Sequence, residues 1–213
     1  MEDTQDFQQG KDKQGHQNIR NALFSEERFS NYPEKNKDRL AGIMATHTRN
    51  MAELLGLDPS IVNLAVSSRE KVGEKNSRRP ALHIEFDEKN KPTFSVLFPP
   101  HELGAYLKLI GNPLTAPFIE ESIIWGLGHE IHHISQYENN RSSALKSAEA
   151  SQQEEWQYLG DEGEIAARMF AIVYAANRNI PLHNIHRQNT RLFTVLSGLA
   201  FEGYCRLRKK ARR

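Results

Sequence analysis

Residues 123–135 read IIWGLGHEIHHIS, and the rest of the chain is best understood outward from them. The run is apolar up to Leu127, then carries His129, Glu130 and His133, an HExxH arrangement set inside a helical pattern. On an α-helix, residues four apart differ by about 40° in azimuth and about 6 Å in height, so both imidazoles leave one face and can grip a single ion. Glu130 is turned about 100° from His129, where it does not easily ligate but can take a proton from a metal-bound water. Zinc suits such a pair, being a Lewis acid without redox chemistry that lowers the pKa of bound water when one coordination position is left open. With 9 histidines in 213 residues, a chance match to the pattern is expected at a frequency of about 0.03 per chain of this composition. The largely apolar flanks add weight, because they suit a helix that crosses a core and shows only its polar face to a cleft. His132 shares a face with His129 at i,i+3 and is the second choice as ligand. The bland alternative is a surface helix with clustered histidines.

A catalytic zinc site needs a third protein ligand from elsewhere. Residues 161–178, DEGEIAARMFAIVYAANR, carry the small residues Ala166, Ala167, Ala171, Ala175 and Ala176, which let two helices approach closely. A carboxylate on this stretch can then reach the imidazoles. Glu164 is the first candidate, Glu162 and Asp161 the next, while Glu154 and Glu155 read as solvated. For the developing oxyanion the candidate donors are His183, His186, Tyr158 and Tyr174, among which sequence distance does not choose. His101 and Glu102 lack a second histidine four residues on, and His16 and His47 have no supporting partners.

At these residues the chain resembles the zincin metallopeptidases of gluzincin type, and most of all the ImmA/IrrE-type peptidases. There HExxH is followed on the next helix by E-x-x-A-x-x-F-A, which here is Glu164, Ala167, Phe170 and Ala171. The resemblance covers roughly residues 115–175. It implies a zincin-like fold, a peptide or protein substrate, and zinc held by His129, His133 and Glu164. By the same analogy a substrate adds as a strand to an exposed sheet edge, for which the stretch Thr93 to Phe98 is the candidate.

Around that centre the sequence predicts an α+β domain, mostly helical with a small antiparallel sheet. Residues 1 to about 20 are nearly devoid of apolar side chains and are expected to be a disordered polar tail, with one domain over 21–213. Leu40, Ile43, Met44, Met51, Leu54 and Leu55 recur at helical spacing from Glu34 to Gly56. The stretch 61–72 is ambiguous between helix and strand. ALHIEFD, the turn-rich EKNK and PTFSVLF read as a hairpin over 81–98. Pro99 and Pro100 end it, HELGAYLKLIG reads as helix, and longer helical patterns follow at about 117–138, 144–178 with a candidate break near Gly160 to Gly163, and 185–209.

Composition narrows the setting. Net charge is +1, and the one dense basic run, Arg206 to Arg213, reads as a solvated helix end, so nucleic acid is not an expected partner. A single cysteine, Cys205, allows no intrachain disulfide, and no apolar stretch is long enough to cross a bilayer, so a cytoplasmic setting is expected. Two rival readings stand beside the peptidase. One is a non-catalytic helical interaction module with a structural or degenerate metal site. The other is a zinc hydrolase of a non-peptide amide or ester.

Overall fold

The structure is a computed structural model that describes residues 14–67, 79–139 and 162–180. Among the described residues, five α-helices and a three-stranded sheet make an α+β arrangement. Helix α1 covers 14–24 and buries Leu23 and Phe24, so ordered structure begins inside the stretch expected to be a polar tail. The reason is visible in its contacts. Arg20 pairs with Asp38 at 2.6 Å and with Glu34, and the Phe24 ring meets Phe29 edge-on at 5.8 Å, which anchors a polar helix by one end and one face. Residues 1–13 and the basic C-terminal run lie outside the described residues, as does the helix expected over 185–209.

Helix α2, Glu34–Leu54, follows the expected apolar stripe, with Leu40, Met44 and Met51 fully buried. It ends at Gly56, whose φ of 72° only glycine adopts without strain. There the Gly56 N–H donates to the Glu53 carbonyl and the Leu57 N–H to the Ala52 carbonyl, closing the last turn in the Schellman manner. The chain then extends into β1, Val62–Val66, which resolves the ambiguous stretch as a strand.

Strands β2, Ala81–Phe86, and β3, Pro92–Phe98, form the expected hairpin. Its turn is fixed by Asp87, whose carboxylate accepts from the Lys89 and Lys91 N–H groups while Asn90 takes a φ of 60°. The sheet is nevertheless mixed and not purely antiparallel. Strand β1 pairs parallel to β3, in the register Val62 to Phe94 and Val66 to Phe98, giving the order β1-β3-β2. Thr93 to Phe98 is therefore a central strand and cannot be the exposed edge expected of it. Phe94, Val96, Leu97 and Phe98 are all buried, as a strand flanked on both sides requires.

Pro100 sits in the first turn of α3, Pro100–Leu109, where a missing N–H costs nothing. The Asn36 side-chain amide on α2 donates to the Leu107 carbonyl at 2.9 Å and ties the two helices. Helix α4, Ala116–Asn139, runs through the core with Ile123, Ile124, Leu127, Ile131 and Ile134 fully buried, and helix α5, Glu162–Asn177, lies along it. None of the helices among the described residues is long and apolar enough to cross a membrane.

Two glycines on α4 set its neighbours. A Cβ on Gly126 would meet Pro80, just before β2, at 2.7 Å, and one on Gly128 would meet the Ala171 Cβ at 2.9 Å and its Cα at 3.1 Å. The Pro80 ring thus packs onto the α4 backbone at Gly126, and α5 comes within van der Waals reach of it at Gly128. Gly128→Val should destabilise the fold by about 1–3 kcal/mol, because neither atom of Ala171 can swing aside. Gly42→Ala on α2 should instead add about 0.5–1 kcal/mol, since the nearest atom to its Cβ is 4.0 Å away. Chemical denaturation of the two variants checks the contrast, and equal stabilities would contradict the close approach.

Candidate metal centre

The close approach at Gly128 brings α5, and with it the third candidate ligand, alongside the two histidines. His129 and His133 stand one turn apart on the α4 face opposite the buried isoleucines, and α5 crosses that face with Glu164 in its first turn. The Nε2 atoms of His129 and His133 are 3.2 Å apart. Glu164 Oε2 lies 3.3 Å from His129 Nε2, and Oε1 lies 3.2 Å from His133 Nε2. Three donors of a tetrahedral zinc ion with bonds of 2.0–2.1 Å stand about 3.3–3.4 Å apart. Each imidazole nitrogen comes near that distance from the other and from one carboxylate oxygen, Oε2 for His129 and Oε1 for His133, and these three residues are the one His/Cys/Asp/Glu group among the described residues whose ligand atoms lie within 4.8 Å of one another.

Hydrogen-bond direction sharpens the fit. The Gln136 amide nitrogen donates to the Gly163 carbonyl at 3.1 Å, so its amide oxygen faces His133 Nδ1 at 2.8 Å. An amide oxygen only accepts, so Nδ1 carries the hydrogen and a neutral His133 ring presents a lone pair at Nε2. That lone pair faces a carboxylate oxygen. Two acceptors 3.2 Å apart repel unless a cation lies between them, and in a metal-free protein a proton takes that place. The ionisation behaviour is consistent with this. Burial alone would lower the His133 pKa, but the Glu164 hydrogen bond and the Glu130 and Glu164 charges outweigh it and raise it. His129 moves far down, through burial first and then through the neighbouring His133 and Arg168 charges.

Glu130 lies beside this trio without joining it. Its Oε2 accepts from the Leu82 N–H of β2 at 2.9 Å, and its Oε1 is 3.9 Å from His129 Nε2. Burial, helped by the Glu164 charge, pushes its pKa to about 7 against the pull of His133 and the Leu82 N–H. A carboxyl group with a pKa near neutrality is suited to both accepting and returning a proton. Arg168, buried one turn beyond Glu164, brings its guanidinium to 3.6 Å from Glu164 Oε2. The Trp125 ring lies 6.4 Å from that of His129, on the same face one turn earlier.

The remaining expectations separate cleanly. His132 is not in the cluster: its ring packs at 5.6 Å from Phe170, and burial lowers its pKa to about 4. Glu162 is exposed at the start of α5 and also falls outside it. Tyr174 lies about 15 Å along the helix from Glu164. Its hydroxyl is bound 2.8 Å from His47 Nδ1, so it is not placed to meet an oxyanion at this centre. His47, expected to lack partners, is buried between Tyr174 and Glu120, whose Oε1 is 2.9 Å from its Nε2. This three-residue link joins α2, α4 and α5. His16 Nε2 meets the Asp38 carbonyl at 2.9 Å. Asp161, Glu154, Glu155, Tyr158, His183 and His186 lie outside the described residues. Sequence reading passed over Gln136, Leu82 and Arg168. Gln136 at i+3 from His133 and Arg168 at i+4 from Glu164 were open to discovery by helical spacing, whereas Leu82 is brought in by the sheet alone.

The raised Glu130 pKa makes a stability prediction for the metal-free protein. A carboxyl whose folded pKa is about 7 binds protons in the folded state that the unfolded chain, near 4.5, has released. Stability from this group is thus fully present below about pH 4.5 and is lost as pH rises through about 7. Glu130→Gln keeps an acceptor for Leu82 but no charge. It should be more stable than the unaltered protein by up to about 3 kcal/mol at pH 8, with the gap closing near pH 4. Urea titrations of both proteins in chelator decide it, and a gap that does not change with pH contradicts the assignment.

Compared with known proteins, the chain matches no family model, and neither a curated protein nor a solved structure matches it.

Proposed function

We propose that this chain is a zinc metallopeptidase, with the metal held by His129, His133 and Glu164 and with Glu130 as general base. The observation that carries the reading is the convergence of the His129 and His133 Nε2 atoms on the buried Glu164 carboxylate at 3.2–3.3 Å, with the His133 ring held from behind by Gln136. Such an arrangement is costly in a buried site unless a cation is its usual occupant. Two imidazoles and one carboxylate are also a donor set of catalytic zinc sites, which leave one position open. The resemblance of HEIHH and E-x-x-A-x-x-F-A to gluzincins of the ImmA/IrrE type agrees in residues and in order.

When bound, zinc supplies Lewis acidity that polarises a carbonyl and acidifies water. The chain's own groups do the rest. Glu130 takes the proton of the attacking water at its carboxylate and returns it to the leaving amide nitrogen. Strand β2 aligns the substrate. It is an edge strand, and among the described residues no other strand pairs with its outer side. The Leu82 N–H already points from that side towards Glu130, so the N–H and C=O groups of Ile84, two residues on, point the same way. An extended peptide laid on this edge passes beside the metal centre, which favours a peptide over a compact ester substrate.

Glu130→Gln should cut hydrolysis of a quenched-fluorescent peptide library by at least about 100-fold while one zinc per chain remains. His133→Ala should lose the zinc as well. Undiminished cleavage by Glu130→Gln, or cleavage that survives a chelator, would remove this reading, and turnover confined to non-peptide esters would move it to a different hydrolase class.

A further inference from the structure

We infer that Gln136 is a positioning residue that fixes the tautomer and the aim of the His133 ring and couples it to the start of α5. The inference takes the metal reading above as its setting, although its first test does not need a metal. Gln136 is half-buried on α4, three residues beyond His133, and uses both ends of its amide. Which end is oxygen follows from chemistry. The Gly163 carbonyl can only accept, so the Gln136 nitrogen faces it at 3.1 Å, and the oxygen faces His133 Nδ1 at 2.8 Å.

Two consequences follow. The ring is held as the Nδ1–H tautomer, with its Nε2 lone pair directed at Glu164 and His129, the form a divalent cation needs. Gly163 also immediately precedes Glu164 in sequence. One amide therefore ties the second imidazole to the backbone that presents the carboxylate, so a shift of α5 against α4 is felt at both ligands together. His129 lacks an equivalent: its Nδ1 is buried with no hydrogen-bond partner among the described residues. Of the two imidazoles, His133 is the one whose orientation is set by the protein before any ion arrives.

The variants Gln136→Leu and Gln136→Glu separate the parts. Leucine keeps the bulk and removes both hydrogen bonds. Glutamate keeps the acceptor for Nδ1–H and loses the donor to Gly163. The first measurement is long-range ¹H–¹⁵N correlation of the His133 ring in metal-free protein, at a pH where the ring's titration is complete. The unaltered protein should give the Nδ1–H pattern, Gln136→Glu should keep it, and Gln136→Leu should give a mixture. The second is zinc affinity by competition with a chromophoric chelator, in which Gln136→Leu should bind about 10–100-fold more weakly and Gln136→Glu within a few-fold of the unaltered protein.

An Nε2–H pattern in the unaltered protein overturns the inference without any variant, as does Gln136→Leu with unchanged tautomer and unchanged affinity. If Gln136→Leu does not fold, the unaltered protein and Gln136→Glu still decide the tautomer. Absence of zinc binding by the unaltered protein would remove the peptidase reading instead, and the tautomer measurement would still decide the role of Gln136.

Discussion

Helices α4 and α5 meet with almost nothing between them, because Gly128 has no side chain and Ala171 has only a methyl group. That approach decides where Glu164 arrives. Moved outward by the width of one larger side chain, its carboxylate would leave the 3.2–3.3 Å range it now keeps with both imidazoles. Its place in the first turn of α5 helps further, because the positive end of a helix dipole favours a carboxylate. Buried charge is otherwise costly, and here Glu164, Glu130 and Arg168 all lie below the surface. They are tolerable as a set and not singly, since each meets an opposite charge or a hydrogen-bond donor within the group.

The same helix positions the sheet by the same device. Pro80 packs into the space left by Gly126, so β2 begins one turn of α4 away from Glu130 and presents the Leu82 N–H to it. Two glycines two residues apart thus place a strand and a helix around one histidine pair. Further along α4, in the direction of its start, His47 bridges Tyr174 and Glu120 and holds α2, α4 and α5 in fixed relation. The His129–His133–Glu164 cluster is in this way braced at a distance by groups that do not touch it.

What could be read in advance follows from which constraints are local. HExxH was legible because its chemistry dictates a spacing on one helix. Glu164 was legible as the first of three acidic candidates; it stands beside both imidazoles, Glu162 stays exposed at the helix start, and Asp161 lies outside the described residues. The β2-β3 hairpin was legible from two strand-like runs and an Asp-anchored turn. The pairing of β1 was not: five residues, VNLAV, carry too short a pattern to tell strand from helix, and parallel pairing to β3 is a long-range choice. Because that partner was missing, the wrong strand was read as the free edge. His47 and Gln136 were missed or passed over for a related reason. A lone polar residue on a helix reads as solvated until a partner from another element, Tyr174 for one and Gly163 for the other, is brought alongside.

The central claim is that two imidazoles and one carboxylate from α4 and α5 close on a single zinc ion. X-ray absorption at the zinc edge, on protein loaded with one equivalent, tests it most directly. The account predicts a four-coordinate shell of nitrogen and oxygen at about 2.0–2.1 Å, with the multiple-scattering signature of two imidazoles in the unaltered protein and no zinc retained at this centre by His133→Ala. A six-coordinate oxygen shell without imidazole scattering, or a spectrum unchanged in His133→Ala, would contradict it.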